Sequence, residues 1–401
     1  MSSKSNILSR YILPRAGGIK GPLVEEYEQS FARTTGSRYA IGFMKGRMAF
    51  YAALKALKIG QNNEIIMPGY TCMVVPAAVI HLGAKPVYID IEPDYCTLNP
   101  DKLEAALTSR TKAVMIQHTY GWPNTGMERI MDFCKQHGLA MIEDCCHALG
   151  TFYQERHVGN FGVAGFFSTQ WSKPFTTGLG GVLVCNDAEY RDRIRQIRDE
   201  QAEFPSSYFA AQLAWQGIIY DLLVYPETKA LAQNIYRWLT RRSIITGSTS
   251  SAEYSLRNNF QFLRMCEVQA AAGLYELRQH EAVLEYRRQL ALWYAEELTK
   301  DGWDVPDWPE NSKVTLLRFP LRVPNKKVLL QEAEKHFVEL GDWFVRPLHS
   351  HLAPQEDFGY SNGQCPEAER AAQEIINLPT HPRVSRDCAK RIVRFLHKYI
   401  H

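Results

Sequence analysis

The sequence lacks the features that mark several large protein classes. Its nine cysteines are scattered and none lies in a C-x-x-C pair, so neither a disulfide framework nor a zinc site is predicted. No stretch approaches the roughly 18 apolar residues of a transmembrane helix. The 46 basic and 43 acidic residues nearly cancel to a net charge of +3, so nucleic acid is not expected as a partner.

Several catalytic and targeting patterns are also missing. No G-x-G-x-x-G opens a helix after the early strands, which disfavours a classical nicotinamide site. There is no P-loop motif, no H-E-x-x-H and no G-x-S-x-G. The first residues include Lys4 and Arg10 but no apolar core region, so no signal peptide is expected. The cysteine usage favours a reducing compartment, the cytoplasm.

What the sequence does contain is a regular alternation of apolar strands and helices over residues 39–200. Such alternation is typical of a parallel sheet covered by helices on both faces. Ligands collect at the carboxyl ends of the strands in these sheets. The polar groups and turns at such ends are Lys45-Gly46-Arg47, Pro68-Gly69-Tyr70, His118 and Asp144.

The length of 401 residues favours more than one domain. We predict a large domain over residues 1–284 and a smaller α+β domain over residues 285–401. Residues 204–251 are rich in aromatic and aliphatic side chains and are predicted as amphipathic helices for packing or subunit contact. A membrane-surface role is the alternative for that segment. Gln269–Lys300 is predicted as one long helix.

The stretch from Ile142 to Gly181 carries the chemistry. Asp144 ends an apolar strand, and Lys173 lies between two apolar segments beside a glycine-rich turn. A lysine amine that is desolvated near another cation loses pKa and becomes a usable nucleophile and proton carrier. Pyridoxal phosphate (PLP) requires such a lysine and a carboxylate that keeps its pyridine nitrogen protonated. We therefore interpret Lys173 as the residue that carries PLP as a Schiff base, with Asp144 tuning the ring.

Two other features match a phosphate group. Gly46 and Arg47 lie in a strand–turn–helix segment of the type that aims backbone N–H groups at an anion, and Ser168 offers a hydroxyl. The alternative for Gly46 is an ordinary strand–helix connection. The alternative for Asp144 is an acid at a strand end that caps the following turn. Cys145-Cys146-His147 also allows a thiol nucleophile or metal ligands, but neighbouring residues cannot all reach one ion, and no metal is predicted.

With these residues in place, the chain resembles the DegT/StrS-type sugar aminotransferases, a branch of the fold-type I PLP enzymes. The resemblance covers nearly all the chain. It implies an α/β fold in which a large domain has a mostly parallel seven-stranded sheet between helices, beside a smaller C-terminal α+β domain. The segments that carry it are GPLVEEYEQSFARTTGSRYAIGF, GAKPVYIDIEPDYCTLNPDKLEAAL, QHTYGWP, IEDCCHALG, VGNFGVAGFFSTQWSKPFTTGLGGVLV, LRMCEVQAAAGLYEL and INLPTHPRVS.

The resemblance implies a role for each central residue. Lys173 matches the lysine that forms the internal aldimine, and Asp144 matches the partner of the pyridine nitrogen. His147 matches the contact to the ring's phenolic oxygen, and Ser168 matches the phosphate-binding serine. The remaining cofactor positions implied are Gly46, Arg47, Met48 and Cys72, and the candidate substrate contacts are His118, Arg346 and His349. The alternative for His118 is a histidine at the end of a strand whose hydrogen bonds are all made within the protein.

The chain also departs from the family pattern. Cys72 stands where an aromatic often stacks on the cofactor ring, which leaves Tyr70 as a candidate cover. Gln261 stands where the family often has an asparagine that reaches the neighbouring subunit's phosphate. Leu179 replaces a common glutamate, and Pro174 replaces a frequent asparagine. These changes mark a divergent member.

The resemblance implies transfer of an amino group from an amino acid donor, glutamate, to a keto-sugar that is nucleotide-linked. Pyridoxamine phosphate (PMP) is the form of the cofactor between the two half-reactions, and a homodimer is expected. One rival is a PLP- or PMP-dependent sugar dehydratase, but family dehydratases carry histidine where Lys173 stands. The other rival is a non-catalytic regulatory protein that keeps the fold.

Overall fold

The computed structural model describes residues 18–223, 256, 260–349 and 352–399. Most of the 204–251 segment therefore lies outside the described residues, although its first part forms a helix. The strands are β1 (Tyr39–Phe43), β2 (Glu64–Pro68), β3 (Thr71–Cys72), β4 (Lys85–Ile89), β5 (Thr111–Gln117), β6 (Ala140–Asp144), β7 (Phe152–Tyr153), β8 (Arg156–His157), β9 (Ala164–Ser168), β10 (Gly181–Cys185), β11 (Ser312–Lys313), β12 (Arg318–Arg322), β13 (Leu348–His349) and β14 (Ile375–Pro379).

Helices connect these strands. They are α1 (Leu23–Thr35), α2 (Gly46–Ala56), α3 (Val74–His81), α4 (Leu103–Ala106), α5 (Met127–His137), α6 (Ala188–Gln201), α7 (Ser207–Leu223), α8 (Glu267–Leu277), α9 (His280–Lys300), α10 (Lys326–Lys335), α11 (Pro366–Glu374) and α12 (Arg386–His397). Within the described ranges, no helix is long and apolar enough to cross a membrane.

The centre of the molecule is a seven-stranded sheet in the order β1-β10-β9-β6-β5-β2-β4. Only β10 runs against its two neighbours, and the other adjacent pairs are parallel. Every residue of β2 and of β10 is buried, as expected for strands covered on both faces. The predicted α/β class and the mostly parallel seven-stranded sheet are confirmed.

The prediction of one helix over Gln269–Lys300 is wrong. The structure has two helices, α8 and α9, which are separated at Arg278 and Gln279. The N–H groups of these two residues bond three residues back, at 3.3 and 3.0 Å, so the last turn of α8 tightens and stops. The sequence Leu-Arg-Gln-His holds no glycine or proline that would signal this break. The predicted domain boundary at residues 284 and 285 falls within α9 and stays a prediction.

A separate two-stranded sheet joins a C-terminal loop to the segment that follows β2. Strand β13 pairs with β3, with Leu348 opposite Thr71 and His349 opposite Cys72. On the other side, the loop residue Gly341 exchanges two backbone hydrogen bonds with Asn377 of β14, at 2.8 and 2.9 Å. Residues 341–349 are thereby held between β14 and the edge where the catalytic groups were predicted.

Candidate active site

The phosphate end of the site is fixed by glycines and by aromatic packing. Phe50 of α2 stacks on Phe166 of β9, with ring centroids 4.7 Å apart, which holds the helix over that strand. Gly181, the first residue of β10, faces both Phe43 and Ser168 in the sheet. A Cβ at Gly181 would lie 2.2 Å from the backbone carbonyl carbon of Lys45, so only glycine allows this close approach.

These contacts place the first residue of α2 against the end of β9. A Cβ on Gly46 would lie 3.1 Å from the carbonyl oxygen of Phe167, 3.2 Å from Cβ of Ser168 and 3.4 Å from Sγ of Cys146. A helix N-terminus carries a partial positive charge, and Arg47 adds a full one beside it. The arrangement of amides, hydroxyl and guanidinium suits a phosphate group.

Asp144 is the last residue of β6 and is only 4% exposed. Its Oδ1 accepts a hydrogen bond from the N–H of Cys146 at 2.9 Å. Burial raises the pKa of Asp144, and the bond from Cys146 and the charge of Lys173 oppose that shift. A buried carboxylate of this kind suits a protonated ring nitrogen as its partner.

Lys173 lies in the loop after β9 and is 8% exposed. Its Nζ is 5.0 Å from the ring centroid of Trp343. Burial lowers the pKa of Lys173, while the neighbouring Cys146 and Asp144 act in the opposite direction. The amine is therefore closer to its neutral, nucleophilic form than an exposed lysine would be.

His147 is buried and held in one orientation. Its Nδ1 accepts a hydrogen bond from the backbone N–H of Tyr120 at 3.2 Å, so the neutral ring carries its proton on Nε2. Burial lowers the pKa of His147 well below its usual value, and the charges of Lys173 and Arg318 lower it further. His147 is therefore a neutral hydrogen-bond donor through Nε2, as a contact to a phenolic oxygen requires.

The residues present fit PLP. A cradle for phosphate lies at Gly46 and Ser168, and a buried acid for the ring nitrogen lies at Asp144. Lys173 and His147 supply the amine and the N–H donor. These four functions meet at the carboxyl ends of β1, β6 and β9, since all three strands point the same way.

His118 lies outside this group and has the structural role that was the alternative for it. It is 0% exposed, its Nε2 lies 3.1 Å from Oε2 of Glu143, and its Nδ1 accepts from the N–H of Asn124 at 3.2 Å. Both ring nitrogens are used, so the histidine has no atom left for a substrate. It stabilises the turn after β5.

The same histidine belongs to the group of side chains that most resembles a metal site in the described part of the chain. Ligand atoms of His118, Glu143 and Cys145 lie within 4.8 Å of one another. Glu143 already accepts N–H bonds from residues 159, 161 and 162 at 2.7–2.8 Å. Burial raises the pKa of Cys145 well above its usual value, so the thiol stays protonated. The group is a hydrogen-bond network.

The other predicted contacts are placed by the 341–349 loop. Arg346 donates from Nε to the carbonyl of Leu348 at 3.1 Å and from Nη2 to the carbonyl of Ala353. Nε2 of His349 accepts from the indole N–H of Trp343 at 2.6 Å. Arg346 thus secures the loop, whereas His349 orients an aromatic ring next to Lys173.

Neither candidate for covering the cofactor face offers an aromatic surface there. Tyr70 is fully buried, with its ring 4.8 Å from that of Phe344 and its hydroxyl 2.8 Å from that of Tyr120. Cys72 is half-buried and pairs with His349 between β3 and β13. The aromatic ring that does lie near the reactive amine is Trp343.

Sequence reasoning missed two residues here, Trp343 and Arg318. The Arg318 guanidinium lies 4.5 Å from the centroid of the Trp343 ring, and the ring of His147 lies 5.1 Å from it. One signal was available for Arg318. In Leu-Arg-Phe-Pro-Leu-Arg the apolar residues 317, 319 and 321 alternate with it and are buried, so the arginine projects from the other face of β12.

A family model, named relatives and solved structures all match this chain. The DegT/DnrJ/EryC1/StrS aminotransferase family model matches residues 9–212 and 246–397. The spore coat polysaccharide biosynthesis protein SpsC of Bacillus subtilis (strain 168) is 29% identical over 92% of this chain and 87% of its own. The UDP-N-acetyl-3-dehydro-alpha-D-glucosamine 3-aminotransferase of Acidithiobacillus ferrooxidans is 27% identical over 97% and 92%.

Among solved structures, DesV of S. venezuelae, in complex with a ketimine intermediate, has a TM-score of 0.77 at 24% identity. That match covers 99% of this chain and 94% of DesV and shows that the two share a fold. The family model matches well over half of the chain, and the matched range includes the stretch from Ile142 to Gly181. The chain belongs to the DegT/DnrJ/EryC1/StrS aminotransferase family and is a PLP-dependent aminotransferase.

Proposed function

We propose that this aminotransferase moves an amino group from an amino acid, glutamate, to a keto-sugar that carries a nucleotide. The observation that supports the proposal most is that Lys173, Asp144 and His147 are all buried, with the charge of Lys173 acting on both of the others. Ser168 lies at the end of β9, the strand next to β6. The sugar part of the proposal is based on the relatives, since the Acidithiobacillus ferrooxidans enzyme is named for a UDP-linked amino sugar.

In this proposal each side chain has a separate task. PLP, when bound, supplies a ring that accepts electrons from the carbon that loses its proton. Ser168 and the amides at the start of α2 hold the phosphate group. Asp144 keeps the pyridine nitrogen protonated. His147 donates from Nε2 to the phenolic oxygen and stays uncharged, because its pKa is well below the usual value.

Lys173 acts as the proton carrier of both half-reactions. With PLP bound, the Lys173 amine would take the proton that leaves the donor's α-carbon and would hold it on Nζ for return. It runs the same steps backward when the keto-sugar is the substrate. Its lowered pKa favours the unprotonated amine, which is the form that acts as a base.

Two further parts of the proposal concern assembly and location. We propose a homodimer, with α7 as part of the contact, because Tyr208 and Trp215 are 76% and 66% exposed on that helix. All nine cysteines are free thiols, which fits the proposed cytoplasmic location.

The proposal is tested by mass spectrometry of the products formed with glutamate and a panel of nucleotide-linked keto-sugars. We expect a product in which the keto oxygen is replaced by an amine, and loss of that product in Lys173→Ala. A deoxygenated product would instead identify a dehydratase. If no amino acid converts the bound PLP to PMP, the chain is a regulatory protein and the proposal is wrong.

A further inference from the structure

A buried cation without a partner lies beside the reactive lysine. In the described ranges, Arg318 has no carboxylate oxygen within 4.0 Å, whereas Arg322 on the same strand is paired with Glu367 at 2.6 Å and Glu374 at 2.8 Å. The Arg318 guanidinium lies 4.5 Å from the centroid of the Trp343 ring. Burial lowers the pKa of Arg318, and the carboxylate of Asp342 acts in the opposite direction from beyond ion-pair distance. A partly buried guanidinium that lacks an anion is costly unless an anion is supplied by a ligand.

The position of Arg318 relates it directly to the chemistry. Nζ of Lys173 lies 5.0 Å from the same indole ring, so the two cations lie against one side chain. The charge of Arg318 reaches both catalytic groups, since it lowers the pKa of His147 and of Lys173. A substrate that reacts at Lys173 therefore has the guanidinium within its own length.

The protein also makes room for this guanidinium. A Cβ on Gly341 would lie 2.8 Å from Nη1 of Arg318, which is closer than real Cβ contacts allow. Gly341 is fixed by its two backbone hydrogen bonds to Asn377. When the face of an aromatic ring packs on a guanidinium, the N–H groups at the guanidinium's edge stay available. They can bind a carboxylate with two parallel hydrogen bonds.

The charges around the lysine favour an anionic ligand. Asp144 is the acid of the site, and it faces the ring nitrogen in the proposed arrangement. Arg47 lies at the phosphate end, next to the start of α2. His147 stays neutral, because burial lowers its pKa. Asp342 acts on the charge of Arg318 but forms no ion pair with it, so the N–H groups of Arg318 can still bind an anionic substrate.

We propose that Arg318, supported by Trp343, binds the α-carboxylate of the amino donor. This inference rests on the proposed function, because it assigns the donor subsite of the same active site. Arg318 makes the enzyme selective for α-amino acids over simple amines, and Trp343 orients the guanidinium and shapes the pocket above Lys173. A nucleotide diphosphate of the acceptor is the competing anion.

The test measures binding of glutarate, an unreactive dicarboxylate, to the PLP-loaded enzyme by calorimetry. We expect Arg318→Met to weaken glutarate binding by roughly 10- to 100-fold, as loss of a charged hydrogen-bond pair does. Arg318→Lys should be intermediate, because it keeps the charge and loses the fork. Arg370→Met is the matched control, since Arg370 is an exposed arginine bonded to Glu367 outside the site, and it should bind glutarate as the wild type does.

Gly341→Ala provides a second route to the same result. It keeps Arg318 but forces Nη1 to move, so it should weaken glutarate binding and leave the PLP absorbance unchanged. This variant decides the question if Arg318→Met does not fold. In single-turnover experiments with L-glutamate, the concentration for half-maximal rate should rise in Arg318→Met, with a smaller change in the limiting rate.

Equal glutarate binding by the wild type, Arg318→Met and Gly341→Ala would overturn the proposal. The proposal would also be overturned if Arg318→Met changed only the KM of the nucleotide-sugar and not glutarate binding. That result would assign Arg318 to the acceptor's diphosphate. Because glutarate binding needs no turnover, it is measurable even if no keto-sugar is converted, and the two proposals can fail separately.

Discussion

Two buried tyrosines connect the large sheet to the loop that carries Trp343, and their removal should be non-additive. The N–H of Phe344 donates to the hydroxyl of Tyr70 at 3.3 Å, and the hydroxyls of Tyr70 and Tyr120 are 2.8 Å apart. The Tyr120 hydroxyl donates to the carbonyl of Trp343 at 2.5 Å. Tyr70 therefore donates to Tyr120, and the four groups form one chain of hydrogen bonds.

The magnitude follows from the groups left without partners. Tyr120→Phe removes the donor to the Trp343 carbonyl and the acceptor for the O–H of the fully buried Tyr70, and each such loss costs about 1–3 kcal/mol. Tyr70→Phe leaves the Phe344 N–H unpaired and keeps the bond from Tyr120 to Trp343, so it should cost about 2 kcal/mol. The double variant contains no orphaned hydroxyl, so its cost should be smaller than the sum by about 1 kcal/mol.

The assay is urea unfolding of the PLP-loaded enzyme, followed by circular dichroism and by tryptophan fluorescence for all four members of the cycle. Tyr95→Phe is the control, because its hydroxyl also donates to a backbone carbonyl, that of Asp307 at 3.0 Å, but at the surface. It should change the free energy of unfolding by less than about 0.5 kcal/mol. Costs for Tyr70→Phe and Tyr120→Phe that add within about 0.3 kcal/mol would refute the continuous chain.

Three further predictions concern other buried groups. Nζ of Lys326 donates to the carbonyls of residues 342, 344 and 372 at 2.9–3.2 Å, so Lys326→Met should lower the free energy of unfolding by about 3 kcal/mol in urea titrations; an unchanged midpoint would contradict this. Burial lowers the pKa of His157 to about 4, so protons bind the unfolded state more tightly than the folded state. The free energy of unfolding should therefore fall by about 3 kcal/mol as pH drops from 6.5 to 4. His157→Gln should show a smaller fall in this free energy, and an equal fall would refute the assignment. Gly46→Val should weaken PLP binding, measured by absorbance titration, by at least roughly 10-fold because a Cβ there would press on Ser168; unchanged affinity would argue against the phosphate cradle.

The parts of the fold that could be predicted from sequence are those set by local patterns. Apolar runs and flanking glycines predict a strand over Tyr39–Phe43 and a helix over Met127–His137, and β1 and α5 have these bounds. Asp144, Ser168 and Gly46 were found for a related reason. Each follows a buried strand, and parallel strands deliver their carboxyl ends to one edge of the sheet.

Other features depend on tertiary contacts that no local pattern reports. His118 also follows a buried strand, yet Glu143 and the N–H of Asn124 take both of its nitrogens. The break between α8 and α9 has no glycine or proline to announce it. In both places the decisive partner is identified only once the chain has folded, and position along a strand or helix predicts a residue's location better than its role.

Trp343 shows why the substrate side of the site was harder to predict than the cofactor side. It lies 170 residues from Lys173 in the chain, and residues from three other positions in the fold bond to it. Its backbone N–H donates to Asn377 at 2.8 Å, its carbonyl accepts from Tyr120, and its indole N–H donates to His349. The carbonyl of Phe344, the next residue, accepts from Lys326. A side chain that is fixed from so many directions cannot adapt freely to different ligands, so the space it leaves beside Lys173 and Arg318 is set before a substrate arrives. Selectivity for the donor then follows from preorganisation, because a carboxylate that meets an aligned guanidinium requires little reordering of the protein.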